Sequence, residues 1–260
     1  RLAWDRAAPI HADHNLARRL REAAAPEKLH LDDTERALLA ATLPPGGAVA
    51  QLCCNNGVEL ISVQKWGAGR CVGFDFSEEF VAQGRQLNRA AGTDVQFVCT
   101  DVHHIPASYD GTFDLVYITV GALGWMPDVH AFFAIAARLL KPGGAVALYE
   151  MHPVLDMFDA DQDRGELPRV RLSYFHEGAQ RSDDGLDYYG QTRYDSPPSY
   201  WYAHPLGAVI GGCLRAGLTL ERFEESTHQR LTDVAFNVGT AAVLLCFHPL
   251  VAGLDGLWDS

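Results

Sequence analysis

Three positions in this chain have the residue types and the spacing to hold a nucleoside. The segment Gln51-Leu52-Cys53-Cys54-Asn55-Asn56-Gly57 follows a short apolar run and leads into a helical pattern. A strand that turns in this way into a helix leaves backbone N–H groups free at the carboxyl edge of a sheet, where they can meet a polar ligand. Eighteen residues past Gly57, Asp75 closes the next apolar run, where a carboxylate can accept hydrogen bonds from two ribose hydroxyls. Asp101 follows the third run and borders the same crevice. Turn, Asp75 and Asp101 together line the point at which open α/β sheets bind nucleosides; taken singly, each is also an ordinary loop position.

A second set of residues could move a proton or contact a substrate. Glu150 and His152 follow the fifth apolar run at the rim of the crevice. Either could serve as a general base, histidine being the side chain best matched to proton transfer near neutral pH. The competing reading for both is a hydrogen-bonded rim residue. Further on, Tyr174, Phe175, Tyr188, Tyr189, Tyr194, Tyr200, Trp201 and Tyr202 crowd one irregular stretch. Such a density suits a pocket for a planar or apolar molecule, and equally a small core of the stretch's own. Tyr189, Trp201, Trp125, His204 and His14 are the expected substrate contacts.

The elements that position these residues alternate strictly. Strands are expected at 48–52, 71–74, 95–99, 113–120 and 145–149, with helices at 58–66, 77–91 and 128–140. Ser77 and Asp128 are N-cap types, Glu78 and Glu79 suit a first helical turn, and Gly92 suits a helix end. Strands alternating with helices of this length imply a Rossmann-like, doubly wound α/β fold with a mostly parallel seven-stranded sheet. Before it, helices are expected at 15–25 and from the capping cluster Asp32-Asp33-Thr34 to residue 41, so residues 1–43 read as an N-terminal helical cap. Pro44-Pro45-Gly46-Gly47 separates that cap from a second domain, 44–260. The alternation fails over 152–203, which reads as a lid or substrate-binding insertion after strand five. A helix at 206–216 and strands at 218–223 and 241–247 complete the sheet.

Composition bounds the rest. Of 260 residues, 33 are acidic and 21 basic, a formal net charge of −12. That field repels phosphate backbones, so nucleic acid is not an expected partner. The longest apolar stretch, 241–247, is strand-sized, and no membrane partner and no signal peptide are expected. The six cysteines (53, 54, 71, 99, 213 and 246) have neither metal-site nor disulfide-framework spacing. They read as free thiols in a reducing cytoplasm, with no metal. The oligomeric state is left open.

Several fragments, in this order and spacing, carry a resemblance. They are Gly73-Phe74-Asp75-Phe76-Ser77, Cys99-Thr100-Asp101-Val102, Phe113-Asp114-Leu115-Val116, Trp125-Met126-Pro127-Asp128 and Leu139-Leu140-Lys141-Pro142-Gly143-Gly144. From 48 to 150 the chain resembles the class I S-adenosylmethionine-dependent methyltransferases. With Trp4-Asp5-Arg6 and Glu150-Met151-His152-Pro153 it is similar to a bacterial small-molecule subgroup. The resemblance implies S-adenosyl-L-methionine as cofactor. It places Gln51, Cys53 and Asn55 under the methionine part, with Gly57 opening the helix. Asp75 would hold the ribose, Phe76 flank the adenine, and Asp101 with the Val102 backbone read the adenine edge. Thr119 would approach the methionine end and Glu150 face the substrate. The chain departs from the family at Gln51, where an acidic residue is usual, and at Cys53 and Asn55, where two glycines are common.

The leading functional expectation is transfer of a methyl group to the N or O of a small-molecule acceptor, which could be aromatic. A nucleotide-dependent oxidoreductase is the second reading, disfavoured because G-x-G-x-x-G spacing is absent. The third is a catalytically inactive, cofactor-binding partner subunit, motivated by the altered first turn.

Overall fold

The computed structural model describes residues 1–158, 169–190, 192–227 and 240–247. Five parallel strands form its centre: β1 (Val49–Leu52), β2 (Cys71–Asp75), β3 (Gln96–Cys99), β4 (Phe113–Ile118) and β5 (Leu140–Met151). Helices α3 (Val58–Lys65), α4 (Glu78–Ala91) and α5 (Val129–Leu139) connect them. Two more strands, β8 (Thr219–Thr227) and β9 (Thr240–Phe247), extend the sheet in the order β3-β2-β1-β4-β5-β9-β8, with β9 antiparallel to both neighbours. The side chains of Cys246 and the rest of β9 lie outside the described residues.

The period-two rule of strands sorts the core into two layers. Ala50, Leu52, Val72, Phe74, Val116, Ile118, Val146 and Leu148 face one way, against α5 and α6 (Leu206–Arg215). Val49, Cys71, Leu115, Tyr117, Ala145, Ala147 and Tyr149 face the other, against α3, α4 and α2 (Asp33–Thr42). Strand order reverses between β1 and β4, which opens a crevice at the strands' carboxyl ends.

The N-terminal region differs from the sequence expectation in two ways. The first helix, α1, runs from Leu2 to Ala24 and carries Pro9 inside it. Proline lacks the N–H for one helical bond, but packing of Ala3, Ala7, Ala8 and His11 keeps the turn in place. Secondly, α2 is part of a core layer. Its N-cap Asp32 and Glu35 form a capping box, and two sheet tyrosines donate to that box, Tyr117 to Glu35 at 2.7 Å and Tyr149 to Asp32 at 3.0 Å.

The segment 152–203 is more ordered than its composition implies. A 3-10 turn covers Pro153–Met157, and β6 (Ala179–Ser182) pairs antiparallel with β7 (Ser199–Tyr202). Residues 159–168 and 191 of the expected insertion lie outside the described residues.

Candidate functional site

The turn after β1 is held by its backbone geometry. Cys53 and Asn55 take the left-handed conformation, with φ 54° and 51°, as does Gly57 at 64°. Asparagine tolerates this region better than most residues, and its side-chain oxygen here also accepts the Asn56 N–H at 2.8 Å. Glycine is required at 57, because a Cβ there would stand 2.4 Å from the Phe97 ring.

Asp75, at the end of β2, ties the turn to the crevice. Its two oxygens accept N–H bonds from Asn55 at 2.8 Å and from Ser77 at 2.9 Å. Burial pushes its carboxyl up to about 6, against the pull of those N–H groups. The Phe76 N–H acts on the same carboxylate, which offers about four lone-pair sites, so accepting capacity remains for a ligand hydroxyl. Phe76 follows it, half-buried. Asp101 caps the 3-10 turn Val102–His104 by accepting the His103 N–H at 2.9 Å, and His103 Nδ1 lies beside the same oxygen. Val102 is buried beneath it. Gln51 is fully buried; its amide donates to Thr119 Oγ1 at 3.2 Å while its Oε1 has no partner among the described residues. The turn, Asp75, Gln51 and Thr119 thus form one connected group at the β1–β4 switch.

The two expected bases are already engaged. Glu150 is buried and accepts N–H bonds from Gly121, Ala122, Leu123 and Met151. It clamps the loop after β4, with two N–H donors on each carboxylate oxygen. Burial raises its carboxyl, opposed by those four donors. His152 Nδ1 accepts the Val154 N–H at 3.1 Å, and Nε2 lies 2.5 Å from Glu225. A ring with one nitrogen accepting and the other donating to a carboxylate has no lone pair left for a substrate. Both nitrogens of His152 are thus engaged in this arrangement. Glu225 arrives from β8, far along the chain, and no sequence spacing signals the pair.

The expected substrate contacts divide between two places. His14 and Tyr189 lie where α1 meets the segment 186–190. His14 pairs with Asp187 at 3.4 Å, the Tyr189 hydroxyl accepts from Arg19 at 2.7 Å, and His11 donates to the Leu186 carbonyl at 2.6 Å. Arg19 also donates to Asn56 of the turn at 2.9 Å, so this junction roofs the turn. Trp201 and His204 lie instead around a cavity of about 230 Å³ beyond the loop 121–125. An edge-to-face series of rings, Trp4–Trp125–Trp201, joins the two places, with both centroid distances 5.1 Å. Trp4 of this series also packs edge-to-face on Phe80 of α4 at 5.8 Å.

Among the described residues no cluster of His, Cys, Asp and Glu could hold a metal, and no helix is long and apolar enough to cross a membrane. Cys53, Cys54, Cys71 and Cys99 are free thiols.

Residues 49–144 match the family model described as a methyltransferase domain. The chain is 31% identical over 144 residues to cycloartenol-C-24-methyltransferase of Arabidopsis thaliana, covering 50% of this chain and 42% of that protein. It is 32% identical over 136 residues to ubiquinone biosynthesis O-methyltransferase of Xanthomonas axonopodis, covering 51% and 56%. The chain thus spans about half the length of these curated relatives. Its fold is similar to that of a putative S-adenosylmethionine-dependent methyltransferase from Listeria monocytogenes, with TM-score 0.61 and 18% identity over 81% of this chain and 95% of that one.

Proposed function

We propose, from the premise that residues 49–144 carry a class I S-adenosylmethionine-dependent methyltransferase domain, that the whole chain methylates a small molecule seated beside the β1–β4 crevice. The residues present suit S-adenosylmethionine. The buried, unpartnered Gln51 Oε1 offers an acceptor to an ammonium group without the usual carboxylate. Asp75 keeps accepting capacity for a ribose hydroxyl, and Asp101 with the Val102 backbone borders the adenine side. Phe76 would flank the base, with Cys53, Asn55 and Thr119 around the methionine part.

When bound, the cofactor supplies an activated methyl group on a sulfonium. Transfer from such a centre is an in-line displacement that needs alignment and exclusion of water more than acid–base help. The engagement of Glu150 and His152 fits that economy: both side chains build the walls. Glu150 fixes the loop 121–123 between cofactor crevice and cavity, and the roof of α1 with 186–190 shields the turn from solvent. A charge of −12 favours a neutral or cationic acceptor over a polyanion.

The single observation that carries this reading is the cavity adjoining the crevice across one loop. Asp75→Asn tests the cofactor half. It keeps the size and one acceptor of the side chain but removes the charge that strengthens a hydrogen bond to a ribose hydroxyl, each such bond being worth about 1.5–3 kcal/mol. S-adenosylhomocysteine should bind at least tenfold more weakly to a mutant of unchanged fold. Equal affinity in calorimetry removes Asp75 from the site.

A further inference from the structure

The cavity beyond the loop 121–125 is built for one kind of occupant. Its walls are largely hydrocarbon, from Leu123, Leu148, Leu155, Val209, Ile210 and Phe223. Among the described residues its lining contains no Lys or Arg. An anionic group placed there would be buried without a countercharge, which is costly. Its charged or imidazole lining groups are Glu150, His152, His204 and Asp156, beside the Trp201 indole and the Tyr202 phenol. Glu150 is saturated by four N–H groups, and both nitrogens of His152 are engaged. His204 donates from Nε2 to the Met126 carbonyl at 2.7 Å.

Asp156 stands apart from these three. Among the described residues its carboxylate receives one hydrogen bond, from the Trp201 indole N–H at 3.0 Å. A carboxylate with one donor has most of its accepting capacity left. That one donor is itself fixed. The Trp201 ring lies so close to Gly124 that a Cβ there would stand 2.2 Å from it, it meets Trp125 edge-to-face, and its backbone is paired in β7 opposite Gln180. The carboxylate is therefore aimed before any ligand arrives, and such preorganisation reduces the ordering cost of binding.

We propose that this cavity receives an apolar amine and that Asp156 is the residue that reads its cationic head. The inference rests on the methyltransferase reading for its place in catalysis, but not for the binding itself. Asp156 is a specificity residue: it sets which molecules enter, while Leu123 and Gly124 form the wall on the side of the crevice that would hold the cofactor. Burial raises the Asp156 carboxyl, opposed first by the Trp201 N–H and then by His204. A bound ammonium would act in the same direction as His204 and hold the carboxylate ionised.

The test is calorimetry on the full chain saturated with S-adenosylhomocysteine, using 2-phenylethylamine and phenylacetate as probes with the same apolar body. The amine should bind at least tenfold more tightly than the acid. Asp156→Asn preserves an acceptor for the Trp201 N–H and should reduce that preference to within about threefold, with S-adenosylhomocysteine affinity unchanged. Trp201→Phe keeps the ring and removes the N–H, and should weaken the amine several-fold by releasing the carboxylate. Equal binding of amine and acid, a preference that survives in Asp156→Asn, or no binding of either probe overturns the proposal. Should wild-type protein fail to bind S-adenosylhomocysteine, the methyltransferase reading fails instead. The amine preference is then read on the protein alone and judged by the same three outcomes.

Discussion

Asn55 shows how much one backbone angle can decide. At φ 51° a β-branched residue meets the steric cost that disfavours left-handed conformations, about 1–2 kcal/mol. Asn55→Val should therefore distort the turn and weaken S-adenosylhomocysteine binding by tenfold or more. Asn55→Gly reaches the same φ and loses only the acceptor for the Asn56 N–H, so calorimetry should find binding within a few-fold of wild type. A tolerated valine would show that the turn does not touch the cofactor. Asp75 adds a pH signature at the same scale. Burial holds its carboxyl at about 6, and a ribose diol is held best by the ionised form. S-adenosylhomocysteine affinity should fall as pH drops through 6, and this fall should be absent in Asp75→Asn. The placement of the turn, Asp75 and Asp101 at the ends of successive strands was legible because glycine and the carboxylates close apolar runs there. The engagement of Glu150 was not, since its donors Gly121, Ala122 and Leu123 carry only backbone N–H groups, which leave no mark in residue types.

At the level of elements, α2 provides the clearest prediction. Glu35 is buried against the sheet, and burial first, with the nearby Glu59 second, raises its carboxyl from about 4.5 to about 7. A carboxyl whose folded value lies above its unfolded one binds its proton more strongly in the folded state. Its contribution to stability is complete below about 4.5 and is lost as pH rises through 7. Wild-type Tm should accordingly drop more steeply between pH 5 and 7.5 than that of Glu35→Gln, which still accepts from Tyr117 and cannot ionise. Parallel Tm profiles for the two proteins would show that Glu35 does not titrate in this range. The elements from β1 to β5 were readable to within a residue or two at most ends, because apolar periods of 2 and 3.6 alternate there and Ser77, Asp128 and Gly92 mark boundaries. The start of α1 was not, because Pro9 argues locally against a helix that tertiary packing keeps. The β6–β7 pair was missed for a related reason: its strands Ala179–Ser182 and Ser199–Tyr202 are four residues each and largely polar or half-exposed, too short to show a period.

Over the whole molecule, the crevice, the roof and the cavity divide the labour. On the proposed reading, the α/β switch point holds the nucleoside, while the parts built around it select the acceptor and keep water out. The fold is common to many activities, so the identity of the chemistry rests on the switch-point residues and not on the topology. The acidic surface implies that double-stranded RNA should fail to retain the protein at physiological salt, as measured by filter binding; retention that weakens with salt would point to a nucleic-acid acceptor. The most direct test of the central claim is one calorimetric panel on the wild-type chain with S-adenosylmethionine, S-adenosylhomocysteine, NAD and NADP. The account predicts one-to-one binding of the two sulfur nucleosides and no heat from either dinucleotide. Binding of NAD or NADP without binding of S-adenosylhomocysteine would contradict it.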